Sequence, residues 1–366
     1  DPHQWTWLLK FLGQCNDTAF ERNVQQIVAL GAYSHAALKD MIRSTDFEFD
    51  RLERGIAHFY TDQKSFDAAG DAVEVMRRYG VQRRVVSKEE LFKIEPAFKA
   101  YGDHITGGTF TNSDESGDAR VFTQKLAKLC EARGAQFLYN HDVVRLHRVG
   151  DAVESVSVRA RTSAEGGPSA FELKGDAIVV ACGSYSAPML RSVGVNVPIY
   201  PGKGYSATFK ILKPDQAPMV STIDDGKKVA ISRLGDQLRV AGTIELGGFD
   251  HDLDSPTARA RCHMLSRRIE TILPGVCDTR TPEEGGDPQY WTGLRPATPT
   301  NIPLIGRTPL KGLWVNSGHG TLGWTHGAGS GKAMAELLCG ERPAMAFNFM
   351  GETPSKAVIR HTPRTA

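Results

Sequence analysis

Two clusters in the chain hold residue types that could do chemistry. Gly318-His319-Gly320-Thr321-Leu322-Gly323 spells G-x-G-x-x-G, and Arg295 stands in Gly293-Leu294-Arg295-Pro296. A dinucleotide fingerprint needs that glycine turn inside a full strand–helix–strand unit, with an acidic residue closing the second strand. Only 43 residues follow Gly323, none strand-like after the last helical stretch, and Glu341 falls in a Gly-Glu-Arg-Pro turn. The fingerprint reading therefore fails. Six glycines between 318 and 331 still let a backbone approach a ligand just ahead of a helix N-terminus, whose free N–H groups favour an anion or a carbonyl oxygen. Tight helix–strand packing is the competing use of the same glycines. Arg295 could grip a carboxylate with two parallel hydrogen bonds or serve in an ion pair. His319 could handle a proton near neutral pH or be a hydrogen-bonded loop residue.

Other chemistries lack their residues. There is no G-x-S-x-G elbow and no acid–base triad. The six cysteines (15, 130, 182, 262, 277 and 339) form no C-x-x-C pair and have no histidine at zinc-ligand spacing, so no metal site is expected. Cys130 and Cys182 lie in apolar stretches and read as small buried thiols. Scattered cysteines suit a reducing, cytoplasmic setting. A net charge of +2 over 366 residues argues against nucleic acid or a polybasic membrane surface. No apolar run reaches the ~20 residues of a spanning helix. At ~150 residues per domain, two domains are expected.

The elements that must position these groups follow an α/β order. Trp5, Leu8, Leu9 and Leu12 have helical spacing, and a second helix runs from Asp17 to about residue 44. A strand at 56–60 and a helix ending near Gly80 follow. Ser87 to Glu90 is a capping box opening a short helix that stops before Pro96. Arg77, Arg78, Arg83 and Arg84 read as a solvated helix end. Phe122, Leu126, Leu129 and Cys130 make one helical stripe with Gly134 beyond it. Strands are expected at 136–139, 143–146, 153–158 and 171–173, with a Gly/Ser loop from Ser163 to Ser169. Residues 176–183 form an apolar run ending in glycine, expected as a parallel strand buried on both faces. From 197 to 246 the alternation predicts an antiparallel sheet, and Ser255-Pro256 opens a helix to Leu273. Strands near 290–291 and 313–315 precede a last helix over 328–338.

Trp291-Thr292-Gly293-Leu294-Arg295-Pro296, Pro303-Leu304-Ile305-Gly306 and Asn316 through Thr325 closely resemble the C-terminal signature of the bacterial D-amino acid dehydrogenase small-subunit family, relatives of D-amino acid oxidase and glycine oxidase. Asn112 to Asp118, Gly183-Ser184-Tyr185-Ser186 and Pro201 to Ser206 match the same family in the same order. The resemblance implies an α/β fold, with a doubly wound, Rossmann-like FAD-binding domain interleaved with a substrate domain built on a mixed or antiparallel sheet. The expected segments are 1–105 (helical, substrate domain), 106–195 (FAD domain), 196–290 (substrate sheet and helix), 291–345 (C-terminal FAD segment) and 346–366 (tail). Family members begin with a strand, a G-x-G-x-x-G turn and a helix that hold the pyrophosphate. The chain, opening at Asp1, is expected to correspond to the family after that segment.

The resemblance also implies roles. Arg295 would bind the substrate carboxylate. Tyr205, on a strand of the substrate domain, could close over the substrate or equally be a core tyrosine, and His319 is a candidate proton handler or, in its plainer reading, a hydrogen-bonded loop histidine. Val143 or Val144 would meet the adenine through backbone groups, and Ala181, Cys182 and Gly183 would end the strand where the cofactor passes; both groups could equally be plain core. Gly318, Gly320, Thr321, Leu322, Gly323, Trp324 and Thr325 would set backbone N–H groups against the flavin. The implied cofactor is FAD. The implied reaction is hydride transfer from Cα of a D-amino acid to flavin N5, yielding a 2-oxo acid and ammonia. Electrons would pass to a quinone-type acceptor of the respiratory chain, with peripheral association at the cytoplasmic face of the inner membrane. An oxygen-using amine or glycine oxidase, or a non-catalytic chain that does not hold FAD, are the alternatives.

Overall fold

The structure, a computed structural model, describes residues 1–161 and 170–352; the expected Ser163–Ser169 loop lies outside them. The helices are α1 (Pro2–Leu12), α2 (Asp17–Thr45), α3 (Gln63–Arg78), α4 (Lys88–Ile94), α5 (Ala119–Ala132), α6 (Ser186–Arg191), α7 (Pro256–Ile272) and α8 (Gly323–Leu338). The strands begin with β1 (Ile56–Tyr60), β2 (Arg83–Ser87), β3 (Gly107–Thr111), β4 (His141–Val149), β5 (Ala152–Ala160), β6 (Phe171–Lys174) and β7 (Ile178–Val180). They continue with β8 (Tyr200–Lys210), β9 (Ser221–Asp224), β10 (Val229–Leu234), β11 (Gln237–Glu245), β12 (Gln289–Ala297), β13 (Leu304–Arg307) and β14 (Leu313–Ser317).

The chain forms two units. One comprises Asp1–Asp46, Cys130–Pro201 and Arg295–Ala366. Its three-stranded sheet has the order β13-β14-β7, with β7 and β14 parallel, beside a second sheet β4-β5-β6. Helix α8 lies along α2 because small residues allow it. A Cβ on Gly329 would come within 2.6 Å of Ser34 Cα, and the Gly329 N–H donates to Ser34 Oγ at 3.0 Å. Leu30, Met334, Leu337 and Trp314 fill the adjoining core.

The other unit, Phe47–Leu129 with Gly202–Leu294, carries the large sheet, ordered β12-β8-β11-β10-β9-β1-β3-β2. Ala258, Cys262, Leu265, Ile269 and Ile272 on α7 recur at alternating steps of four and three and are all buried. That single stripe seals one face of the sheet. Along β8, Tyr205, Ala207 and Phe209 point into this core, so strand alternation turns Ser206 and Thr208 to the opposite face. Asp224, fully buried, accepts from Arg268 Nε at 2.7 Å, and Arg268 Nη1 reaches the Tyr101 hydroxyl at 2.9 Å.

Several expected elements differ. Residues 136–139 form no strand, because no described segment pairs with them; Phe137, Leu138 and Tyr139 are exposed. The expected strand buried on both faces shortens to the three residues of β7. It lies at a sheet edge, with Ile178 and Val179 only half-buried. Arg83 and Arg84 belong to β2, not a helix end, and Arg83 Nε donates to Thr111 Oγ1 at 3.1 Å. Cys182 is exposed rather than buried.

Candidate active site

Strands β7 and β14 run parallel, with Val315 opposite Val180, so both chains leave the sheet at the same end. Each leaves through a glycine in the left-handed region: Gly183 has φ +55°, Gly318 +87° and Gly320 +53°. Ligands of open α/β sheets sit beyond the carboxyl ends of the strands. Here the two exits are bolted together. The Cys182 N–H donates to Ser186 Oγ at 3.1 Å, Ser186 Oγ to Ser317 Oγ at 3.0 Å, and Ser317 Oγ to the Gly183 carbonyl at 2.9 Å. Ser186 and Ser317 are buried, so the ring is shielded from water.

The second turn runs into α8, which starts at Gly323, five residues before its expected start. Neither the 3-10 turn Gly320–Leu322 nor α8 has a side-chain cap at its N-terminus, which leaves first-turn N–H groups without an internal acceptor. Gly318 is buried while Thr321 and Thr325 are exposed, and Gly320, Leu322, Gly323 and Trp324 lie between. His319 Nε2 bonds Ser330 Oγ at 2.8 Å. Burial, with His326 alongside, pulls the His319 pKa down to about 4; burial does the same to His326. His319 is a neutral imidazole at physiological pH, anchored to its own helix.

Ala181 and Cys182 are exposed beside Gly183, and no atom lies within 4 Å of a Cβ placed on Gly183. On the second sheet, β4 pairs with β5 through Val143↔Val158 and then Arg145↔Ser157. Val144 is thus a bulge residue outside the ladder, its backbone groups released, and Val143 and Val144 are both exposed. Open space at the Gly183 exit, uncapped helix donors after the Gly318–Gly320 turn and a bulged edge strand within one unit suit a long cofactor with a carbonyl-bearing ring. The residues present fit FAD.

Arg295 is half-buried near the end of β12, a strand longer than the sequence suggested, and burial pulls its guanidinium pKa down. Removal from water strengthens any carboxylate contact it makes. Along β12 it alternates in step with Trp291 and Gly293. Of its two readings, Tyr205 takes the core one. It is 1% exposed on the α7-covered face, and its hydroxyl donates to Glu245 Oε2 at 2.8 Å. Lys203, also buried, bonds Asp250 Oδ2 at 2.6 Å. Sequence reasoning missed Ser186 and Ser317 as the link between the two turns, since residues 131 positions apart carry no local signal.

An α/β unit whose parallel strands β7 and β14 leave through glycine turns, in a chain that also carries a large mixed sheet, is the architecture of a nucleotide-cofactor oxidoreductase. Residues 7–337 match the family described as FAD dependent oxidoreductase (DAO), and the chain belongs to it. It is similar to the D-amino acid dehydrogenase of Dechloromonas aromatica, 43% identical over 350 residues, covering 96% of this chain and 80% of that protein. The D-amino acid dehydrogenase of Methylobacterium radiotolerans is 39% identical over 349 residues, covering 94% and 78%. Among solved structures, glycine oxidase from Geobacillus kaustophilus superposes with TM-score 0.73 at 20% identity, covering 91% of this chain and 84% of that one. L-proline dehydrogenase from P. horikoshii gives 0.72 at 16%, covering 88% and 81%. These two likenesses carry the fold.

Proposed function

We propose that this FAD-dependent oxidoreductase oxidises D-amino acids to 2-oxo acids and ammonia. The observation that carries the reading is 43% identity to a D-amino acid dehydrogenase along 96% of the chain. FAD, when bound, supplies the two-electron oxidant that takes the hydride from Cα. The chain itself supplies placement and charge. Arg295 takes the substrate carboxylate and so fixes which Cα hydrogen is presented. The N–H groups of Gly320 to Trp324 and the α8 N-terminus stabilise negative charge at the ring's carbonyl end. Val143 and Val144 offer backbone groups to the adenine, Ala181, Cys182 and Gly183 let the cofactor pass close to the backbone, and Gly318, packed against Thr298, turns the chain toward α8. His319, neutral and held by Ser330, orients this turn. Tyr205 supports the substrate sheet from its helix-covered side through Glu245.

Electrons pass on to a quinone-type acceptor, and the enzyme works at the cytoplasmic face of the membrane. No helix among the described residues is long and apolar enough to cross a membrane, so this association is peripheral in the proposal. The test is anaerobic mixing of FAD-loaded protein with D-alanine and with L-alanine. Bleaching of the flavin by the D-isomer, followed by reoxidation with a soluble quinone and no peroxide under air, is expected. No bleaching by any D-amino acid would refute the reading, and stoichiometric peroxide would replace the quinone by oxygen.

A further inference from the structure

One cavity of the large-sheet unit brings a carboxylate and a guanidinium together without pairing them. It has a volume of about 390 Å³ and is built wholly from that unit, between the segment 48–52, Val121 of α5, Met219 and the β10–β11 turn. Asp50 takes a left-handed φ of +53°, and Gly235, in the turn, one of +59°. A Cβ on Gly235 would lie 3.3 Å from Asp50 Oδ1, so a glycine there leaves room for the carboxylate. The same glycine holds Arg233, whose Nε donates to the Gly235 carbonyl at 3.1 Å. Arg233 Nη1 is spent on the Pro214 carbonyl at 3.1 Å and on Met219 Sδ at 3.3 Å. These bonds fix the guanidinium plane and leave both protons of Nη2 unused. Among the described residues neither Asp50 nor Arg233 enters an ion pair, and the Asp50 carboxylate accepts no hydrogen bond. Arg51, which also lines the cavity, is neutralised by Glu53 and Glu115.

The free charges at the polar end are thus the Asp50 carboxylate, the Glu48 carboxylate and the Arg233 guanidinium. A guanidinium fork suits a carboxylate, and the two carboxylates suit an ammonium. A simple cation would leave Arg233 without a partner, and a simple anion would face Asp50 and Glu48. The rest of the wall is apolar: Phe49, 2% exposed, with Leu52, Val121 and Met219. An α-amino acid carries its ammonium, its carboxylate and its side chain on one carbon, which is the combination this wall offers to meet. The volume falls in the range of small-molecule sites, about 300–1,000 Å³.

We infer that this cavity binds a free amino acid with an apolar side chain in its zwitterionic form, the ammonium on Asp50 and the carboxylate on Arg233. The site shares no residue with the one around Arg295, and it does not depend on the proposed reaction.

Equilibrium dialysis of the FAD-loaded protein against radiolabelled L-leucine tests this; the L-isomer is used because the proposed reaction consumes the D-isomer. Saturable binding is expected. Two analogues should compete at least about tenfold more weakly than unlabelled leucine: 4-methylpentanoate, which lacks the ammonium, and 3-methylbutylamine, which lacks the carboxylate. Asp50→Asn keeps the shape, tolerates the left-handed backbone and breaks no hydrogen bond of the described residues. It should weaken leucine binding by about 10- to 100-fold, the loss of one charge-assisted contact. Arg233→Lys, which keeps the charge without the fork, should weaken it less. Arg295→Met should leave it unchanged. No saturable binding, competition by 4-methylpentanoate equal to that of leucine, or binding unchanged in Asp50→Asn overturns the site. Binding lost in Arg295→Met and unchanged in Asp50→Asn would do the same, placing the leucine on the proposed substrate residue.

Discussion

Ser186 and Ser317, 3.0 Å apart through their hydroxyls, close a buried ring that joins the loops leaving two parallel strands. Each hydroxyl both donates and accepts, so neither can be lost without stranding a partner. Ser317→Ala should cost about 1–3 kcal/mol in urea unfolding and reduce FAD retention, read as flavin absorbance after gel filtration. Ser186→Ala with Ser317→Ala should cost less than the sum of the two single changes, because both break one ring. Additive losses would mean the two loops are held independently.

Half-buried His319 and buried His326 set an acid limb on stability. In the folded chain the His319 and His326 pKa values fall from 6.5 to about 4. Above 6.5 both states hold them neutral, and stability does not depend on them. Between 6.5 and about 4 the unfolded chain takes up their protons while the folded chain does not. Stability therefore falls with falling pH, by up to about 1.4 kcal/mol per pH unit for each histidine. Urea midpoints from pH 7 to 4 check this, and His326→Gln should flatten the limb by one proton's worth.

Arg295 is expected to act on substrate binding. Arg295→Met should lower kcat/KM for D-alanine by about 30- to 150-fold, mostly through KM, as a charge-assisted bidentate contact is lost. Arg295→Lys should lie between, since a point charge lacks the planar fork. A KM for Arg295→Met within about threefold of the parent would remove Arg295 from this role; steady-state rates with an acceptor dye decide it.

In the large-sheet unit, Arg268 and Asp224 are a stability pair. Asp224 has no exposed surface, and Arg268 also reaches the Tyr101 hydroxyl. Arg268→Ala leaves that carboxylate buried and uncompensated, for a loss of about 3–5 kcal/mol. Asp224→Asn with Arg268→Met should restore part of it. Thermal unfolding of the two variants beside the parent gives the answer.

Local pattern made much of the fold legible. The α7 stripe, the Ser87 cap on α4, β1 and the β4–β5 hairpin all follow from spacing and turn residues within one window, where the physics is short-ranged. The errors share one cause. Residues 136–139 alternate like a strand, yet a strand exists only where a neighbour supplies hydrogen bonds. Arg83 and Arg84 look like a solvated helix end until β3 pairs with them. Short β9 and β13 carry too few residues to signal themselves before their partners are in place.

The candidate site divides along the same line. Arg295 and the 318–325 turn were legible because their chemistry lies in consecutive residues, and the family resemblance is carried by the same stretches. The ring through Ser186 and Ser317 and the bulge that frees Val144 were not. Each depends on which strand lies beside which, and pairing register is set by burial across the whole sheet. Tyr205 shows the limit most plainly. Its residue type suits a substrate lid and a core position equally; in a strand one step of alternation decides the face, and packing against α7 settles on the buried one.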